Sequence, residues 1–201
     1  MTIPNVVLTK RYAAAVAYAS IIHAGDVRKG TEISYLCHLL GVSSLVIEAG
    51  GDEDQAIAGL LHDAVEDAGG MARAADIRAR FGDRVTEIVI ACSDSTDEEW
   101  KRDTPYSKRK RIYLDRIKTE PMDYLLVTMA DKVHNARAIV TDLHVHGAKV
   151  IGKFNGDANQ VLDYYQECLA IAKERNVNPA LVVPLELAVN EMTSMMAAPT
   201  V

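Results

Sequence analysis

Read along the chain, apolar positions recur at helical intervals in nearly every segment, and the breaks between them fall at glycine and proline. After Thr9 the apolar residues at 13, 16, 17 and 21 predict a helix running through about Ala24 and stopping before Gly25. Leu36, Leu39, Leu40, Leu45 and Val46 form a second stripe, preceded by Gly30-Thr31 and closed by Gly50-Gly51. Asp52 opens a third helix, with Gln55 three residues on in capping-box spacing. That helix carries Ile57, Leu60, Leu61 and Val65 as far as Gly69-Gly70. A fourth at about 71–80 ends at Phe81-Gly82, and a fifth runs from Asp83 to about Ala91.

Residues 93–104 are polar and precede Pro105, so they read as an exposed loop. Pro105 and Pro121 suit the first turn of the helices that follow them. The helix from Pro121 is expected to reach about Val140, with a polar connection over roughly Leu143–Asn155. His144 and His146 fall in that connection. Further helices are expected at about 157–175 and from Asn178-Pro179 to about Ser194. No stretch has strand alternation, and no repeat or linker interrupts the pattern. The expected fold is all-α and a single domain.

Composition narrows the picture. The 201 residues are 49% apolar, with only two Phe and one Trp, so Ala, Leu, Val and Ile must build the core. Such a core favours closely packed helices. The formal charge of −6 disfavours nonspecific nucleic-acid binding and anionic membrane surfaces. No apolar run is long enough for a transmembrane helix, and the N-terminus lacks the basic-then-apolar order of a secretory signal. Cys37, Cys92 and Cys168 are far apart and odd in number, which suits a reducing cytoplasm. Nothing in the pattern speaks to oligomeric state.

The densest chemistry lies in Leu60-Leu61-His62-Asp63-Ala64-Val65-Glu66-Asp67. On one continuous helix these four polar side chains would line a single mouth. Three carboxylates this close repel unless a cation or proton lies among them, and acids near a helix C-terminus oppose its dipole. A bound cation and a solvated helix end are both compatible with the segment. His38 stands among apolar neighbours, as does Asp131 in Val127-Thr128-Met129-Ala130-Asp131. A buried unpaired carboxylate costs on the order of several kcal/mol, so Asp131 needs either a metal or a buried Arg. Lys132 is adjacent and expected to point elsewhere, whereas Asn135 shares its face. Together His38, His62, Asp63 and Asp131 offer two imidazoles and two carboxylates, a set suited to Mn²⁺, Fe²⁺, Zn²⁺ or Co²⁺. Cys37, next to His38, reads as core. The run Lys108-Arg109-Lys110-Arg111 reads first as a solvated helix face and second as a basic face that draws a polyanionic nucleotide toward the pocket.

The ordered words H…HD…D resemble the HD phosphohydrolase superfamily, in particular the hydrolase branch of the RelA/SpoT homologues and its stand-alone small alarmone hydrolases. The similar segments are His23-Ala24-Gly25-Asp26-Val27-Arg28-Lys29-Gly30, Tyr35-Leu36-Cys37-His38, LLHDAVED at 60–67, Phe81-Gly82-Asp83-Arg84-Val85 and ADKVHNAR at 130–137. They span roughly residues 10–170. The chain departs from the family at Asp26, often Gln; at Leu39, often Pro; and at Lys132, often Arg. The resemblance implies a single HD-type helical bundle over 1–201, the helix at about 178–194 packing on it. It implies hydrolysis of the 3′-pyrophosphate of (p)ppGpp or (p)ppApp with Mn²⁺, in the cytoplasm. No synthetase segment is expected, because the helices use up the chain. Residue by residue, it implies metal ligation by His38, His62, Asp63 and Asp131 and water activation by Glu66 and Asp67. Contacts to the purine nucleotide would come from Arg28, Lys29, Asn135 and Tyr164. Two rival readings are an HD phosphohydrolase acting on a nucleoside monophosphate and a non-catalytic nucleotide-sensing module.

Overall fold

The computed structural model describes residues 6–93, 98–147 and 158–197. Among them the chain is helical throughout: α1 Lys10–Ile22, α2 Leu36–Glu48, α3 Glu53–Leu61, α4 Ala64–Asp67, α5 Gly70–Phe81, α6 Asp83–Cys92, α7 Glu98–Asp103, α8 Tyr106–Ile117, α9 Met122–His146, α10 Ala158–Glu174 and α11 Pro179–Ala197. The expected all-α class therefore holds. The caps explain several boundaries. Thr9 accepts the Arg11 amide, and Asp52 and Gln55 form the reciprocal capping box that starts α3. Asn178 receives the Ala180 amide at 2.9 Å and ties α11 to the end of α2 through the Ala49 carbonyl, 2.8 Å away.

The long α9 is the hub, packed against α2, α3, α6, α10 and α11. Its Leu125, Met129 and Val133 meet Leu39, Ile57, Leu60 and Ile88 in a core with no exposed side chain among them. Burying each such side chain contributes about 1.5–3 kcal/mol. Two glycines let backbone and ring come close to α2. A Cβ at Gly59 would stand 3.1 Å from the Ser43 Cα, and one at Gly41 would stand 2.3 Å from Nε2 of His134. The first notch lets α3 lie on α2; the second admits an α9 imidazole beside α2.

Four boundaries differ from the sequence reading. The third helix breaks at His62-Asp63, where Asp63 relaxes to φ −95°, ψ −4° before α4. The Gly59 carbonyl faces the His62 ring nitrogen at 2.9 Å, a side-chain bond in place of a backbone one. Within the expected loop at 93–104, α7 forms and the Thr104 amide bonds the Trp100 carbonyl at 2.9 Å; residues 94–97 lie outside the described residues. The prolines cap α8 and α9 from just outside, at extended ψ values of 145° and 142°. Finally, α9 continues to His146, because Ile139 and Leu143 prolong its buried stripe by one more turn. His144 and His146 are thus helical, and His144 pairs with Glu191 on α11. The rest of that expected connection, 148–157, lies outside the described residues.

Candidate metal centre and pocket

Three elements bring the polar core together. α2 supplies His38, the turn between α3 and α4 supplies His62 and Asp63, and α9 supplies Asp131. The two histidines and Asp131 are buried, and one ligand atom from each lies within 4.8 Å of the others. Nε2 of His38 is 3.2 Å from Nε2 of His62 and 3.3 Å from Oδ1 of Asp131. Asp63 Oδ2 joins them, 3.0 Å from His62 and 3.6 Å from His38. Donor atoms bound at about 2.1 Å to one ion stand on the order of 3 Å apart, so these spacings fit a shared cation.

The imidazoles are oriented for that role. His62 donates through Nδ1 to the Gly59 carbonyl, which turns its Nε2 toward the cluster. His38 Nδ1 faces His134 Nδ1 at 2.9 Å. Burial, with His38 and Arg28 nearby, pushes His134 down to about 4. A neutral His134 can accept from His38 Nδ1, the arrangement in which His38 offers Nε2 to an ion. Nitrogen and oxygen donors without a thiolate fit the divalent set expected from the sequence.

Charges around the cluster are mutually compensating. Burial works to raise Asp131 and Asp63, but Lys132 and the two histidines outweigh it for Asp131, and His62 with His38 for Asp63; both carboxyls fall well below their ordinary range. Burial likewise works against a proton on His62, yet Asp63 and Asp131 raise its pKa well above the usual imidazole value. Tyr35 donates to Asp63 Oδ2 at 2.5 Å, and burial with the Asp63 and Asp67 charges keeps its phenol protonated. Asn135 donates to Asp131 Oδ1 at 2.6 Å and accepts from Arg28 at 3.0 Å.

A cavity of about 410 Å³ opens beside this centre, lined in part by Arg28, Lys29, Tyr35, Asn135 and Tyr164. All four residues assigned to the nucleotide thus line one pocket. Arg28 and Lys29 lie on a loop pinned by an isolated Val27–Ser34 bridge and by the Arg28 amide bonding the Ile33 carbonyl at 2.8 Å. On α4, Glu66 is half-buried and Asp67 exposed, and the Asp67 charge acts on the Tyr35 phenol that bonds Asp63.

Three side chains differ from expectation. Lys132 does not point away: its Nζ reaches Asp131 Oδ2 at 2.7 Å, and it is the buried base that this carboxylate needs. Its long stem folds back where neighbouring Cβ atoms diverge, so a lysine takes the place of the expected buried Arg. Cys37 is exposed at the pocket wall, not in the core, because it flanks His38 on the outward side of α2. Of the basic run, Lys108 and Arg111 are exposed as expected, Arg111 pairing with Asp115 and Glu167, but Lys110 lines the pocket. Tyr35 and His134 were quoted in motifs without a role. Their spacing from known candidates, three before His38 and three after Asp131, is the only sequence signal they give.

An all-helical scaffold enclosing paired imidazoles and carboxylates beside a basic pocket defines a helical protein with a candidate metal centre. The chain belongs to the HD domain family, whose profile matches residues 15–151. It is 30% identical over 133 residues to a GTP pyrophosphokinase of Myxococcus xanthus, covering 62% of this chain and 16% of that one. It is also 30% identical over 127 residues to a probable guanosine-3′,5′-bis(diphosphate) 3′-pyrophosphohydrolase of Synechocystis sp., with the same coverages. The chain spans about a sixth of the length of these curated relatives. Among solved structures, a metazoan ortholog of SpoT described as hydrolysing ppGpp superposes with TM-score 0.74 at 24% identity, covering 93% of this chain and 98% of that one. A Listeria monocytogenes protein gives TM-score 0.65 at 26% identity, over 80% and 99% of the chains.

Proposed function

We propose that this chain is a metal-dependent hydrolase that removes the 3′-pyrophosphate from a purine alarmone, (p)ppGpp or (p)ppApp, acting in the cytoplasm as one HD hydrolase domain. The observation that carries the reading is the convergence of two oriented Nε2 atoms and two carboxylates, 3.0–3.6 Å apart, beside a pocket walled by Arg28 and Lys29. The names of the curated relatives point the same way. In this reading His38, His62, Asp63 and Asp131 hold a divalent ion, with Mn²⁺ the first choice. When bound, such an ion supplies Lewis acidity, polarising phosphoryl oxygens and acidifying water.

The chain's own residues do the rest. Glu66 and Asp67 accept the proton of the attacking water as its oxygen bonds to the 3′ α-phosphorus. The bond from that phosphorus to the ribose 3′ oxygen breaks, the oxygen takes a proton, and pyrophosphate leaves. Tyr35 holds Asp63 in place through its phenol hydrogen bond. Arg28, fixed by Asn135, and Lys29 neutralise phosphate charge, and Tyr164 contributes an apolar wall for the nucleoside. The test is incubation of pure protein and Mn²⁺ with ppGpp, ppApp and nucleoside monophosphates, following pyrophosphate and phosphate. Pyrophosphate release from either alarmone is expected; release of phosphate from monophosphates alone, or of nothing, overturns the assignment.

A further inference from the structure

The segment that carries Arg28 and Lys29 is folded on itself. Val27 and Ser34 form an isolated bridge, and the Arg28 amide donates to the Ile33 carbonyl at 2.8 Å. The Thr31 amide and hydroxyl both donate to the Arg28 carbonyl at 2.9 Å. The segment therefore moves as one piece, and much of what joins it to the body lies at its base. On the α2 side the Tyr35 amide donates to the Asp26 carbonyl at 2.9 Å, where that helix begins. On the α1 side the chain passes through Gly25, left-handed at φ 89°, with no atom within 4 Å of where a Cβ would stand. A glycine in open space is a ready hinge.

His23 closes that hinge. It is the C-cap of α1, its side chain is wholly buried, and its ring lies 5.4 Å from that of Tyr35. Its Nδ1 is 3.0 Å from Oδ2 of Asp26, whose amide also bonds the His23 carbonyl at 3.1 Å. A carboxylate only accepts, so Nδ1 donates, a bond that the neutral ring and the imidazolium both make. Nε2 has no hydrogen-bond partner among the described residues, which leaves Asp26 as the polar contact of the ring. The Asp26 side chain is 53% exposed, so the pair ties a surface segment to the interior. We propose that His23 is a positioning residue: through Asp26 it holds the segment where the Arg28 guanidinium meets Asn135 at 3.0 Å. This deepens the proposed function and rests on it for the identity of the ligand. A preset segment spares the nucleotide the cost of ordering it. Charge alone predicts the opposite sign: an acid two residues from Arg28 repels a polyanion, so deleting it would strengthen binding.

The experiment follows Mn²⁺-dependent ppGpp hydrolysis, and amide hydrogen exchange over residues 26–34, in H23L, H23N, D26A and D26N. H23L fills the core without a donor, H23N sets an amide nitrogen near the place of Nδ1, and D26N keeps the acceptor without the charge. In H23L and D26A the KM is expected to rise about five- to tenfold with kcat within about twofold, and exchange to quicken by a similar factor. H23N and D26N should stay near wild type in both readouts. Adding D26A to H23L should weaken ppGpp no further. D26A should melt at the wild-type midpoint, since an exposed acid contributes little to stability, so it decides the matter even if H23L does not fold. Wild-type exchange in D26A, a KM that falls in D26A, or equal losses in D26A and D26N overturn the positioning role. If wild type hydrolyses no ppGpp, the hydrolase reading fails separately, and exchange in the same variants decides the role of His23.

Discussion

His38 and His134 face each other Nδ1 to Nδ1 at 2.9 Å, across the notch that Gly41 leaves between α2 and α9. One nitrogen must donate and the other accept. Because His134 is pushed down to about 4, it stays neutral and can accept from His38, the arrangement in which His38 offers Nε2 to an ion. His134→Ala removes this acceptor. Its Mn²⁺ affinity, measured by titration calorimetry, should fall about ten- to a hundred-fold, the range for such supporting partners. His134→Asn, which keeps an acceptor near Nδ1, should lose less.

The proton on His62 competes directly with a cation. Burial opposes that proton, but Asp63 and Asp131 raise the pKa well above the ordinary imidazole value and so favour the proton where no cation is bound. Cation binding must displace it. Metal affinity should therefore increase as pH rises through the neutral range, by up to about tenfold per unit for each proton released. Proton release measured in buffers of different ionisation enthalpy checks the sign; affinity independent of pH would contradict it.

Gly59→Ala places a methyl 3.1 Å from the Ser43 Cα and 3.3 Å from its amide nitrogen. Both neighbours are backbone, so α3 must move from α2. The cost should be about 1–3 kcal/mol in denaturant melts, as for other overpacked cores. The shift also carries His62 away from His38, so Mn²⁺ affinity should drop along with stability.

Lys132→Met deletes the ammonium 2.7 Å from a buried carboxylate. Breaking a buried pair from one side costs about 3–5 kcal/mol. The loss should be largest in metal-free protein and smaller with saturating Mn²⁺, since a cation on the other carboxylate oxygen offsets part of the unpaired charge. Equal losses in both conditions would argue against the shared role of Asp131.

Much of this was legible in the sequence because it depends on local rules. Asp52 and Gln55 fixed the start of α3 through capping chemistry, and the apolar stripes placed the helices. His38, His62, Asp63 and Asp131 could be grouped because a buried acid demands a counter-charge. What escaped depends on tertiary contact. The break at His62-Asp63 follows from a ring bonding the Gly59 carbonyl, and no pattern of polarity encodes it. Lys132 was misplaced because Cβ direction does not say where a four-carbon stem ends. The extra turn of α9 was hidden by polar Asp142, His144 and His146, although Leu143 carried the stripe onward. Lys110 looked like its solvated neighbours until Tyr106, Tyr113 and Tyr164 gathered around it.

The Lys132–Asp131 pair has a bearing on how the protein lives between loadings. Since one carboxylate oxygen already rests on an internal ammonium, stripping the ion with a chelator exposes no naked charge at the heart of α9. The scaffold should survive demetallation intact and refill from solution, so ion exchange would proceed without unfolding. Activity lost to a chelator should then return on adding metal alone, with no refolding lag.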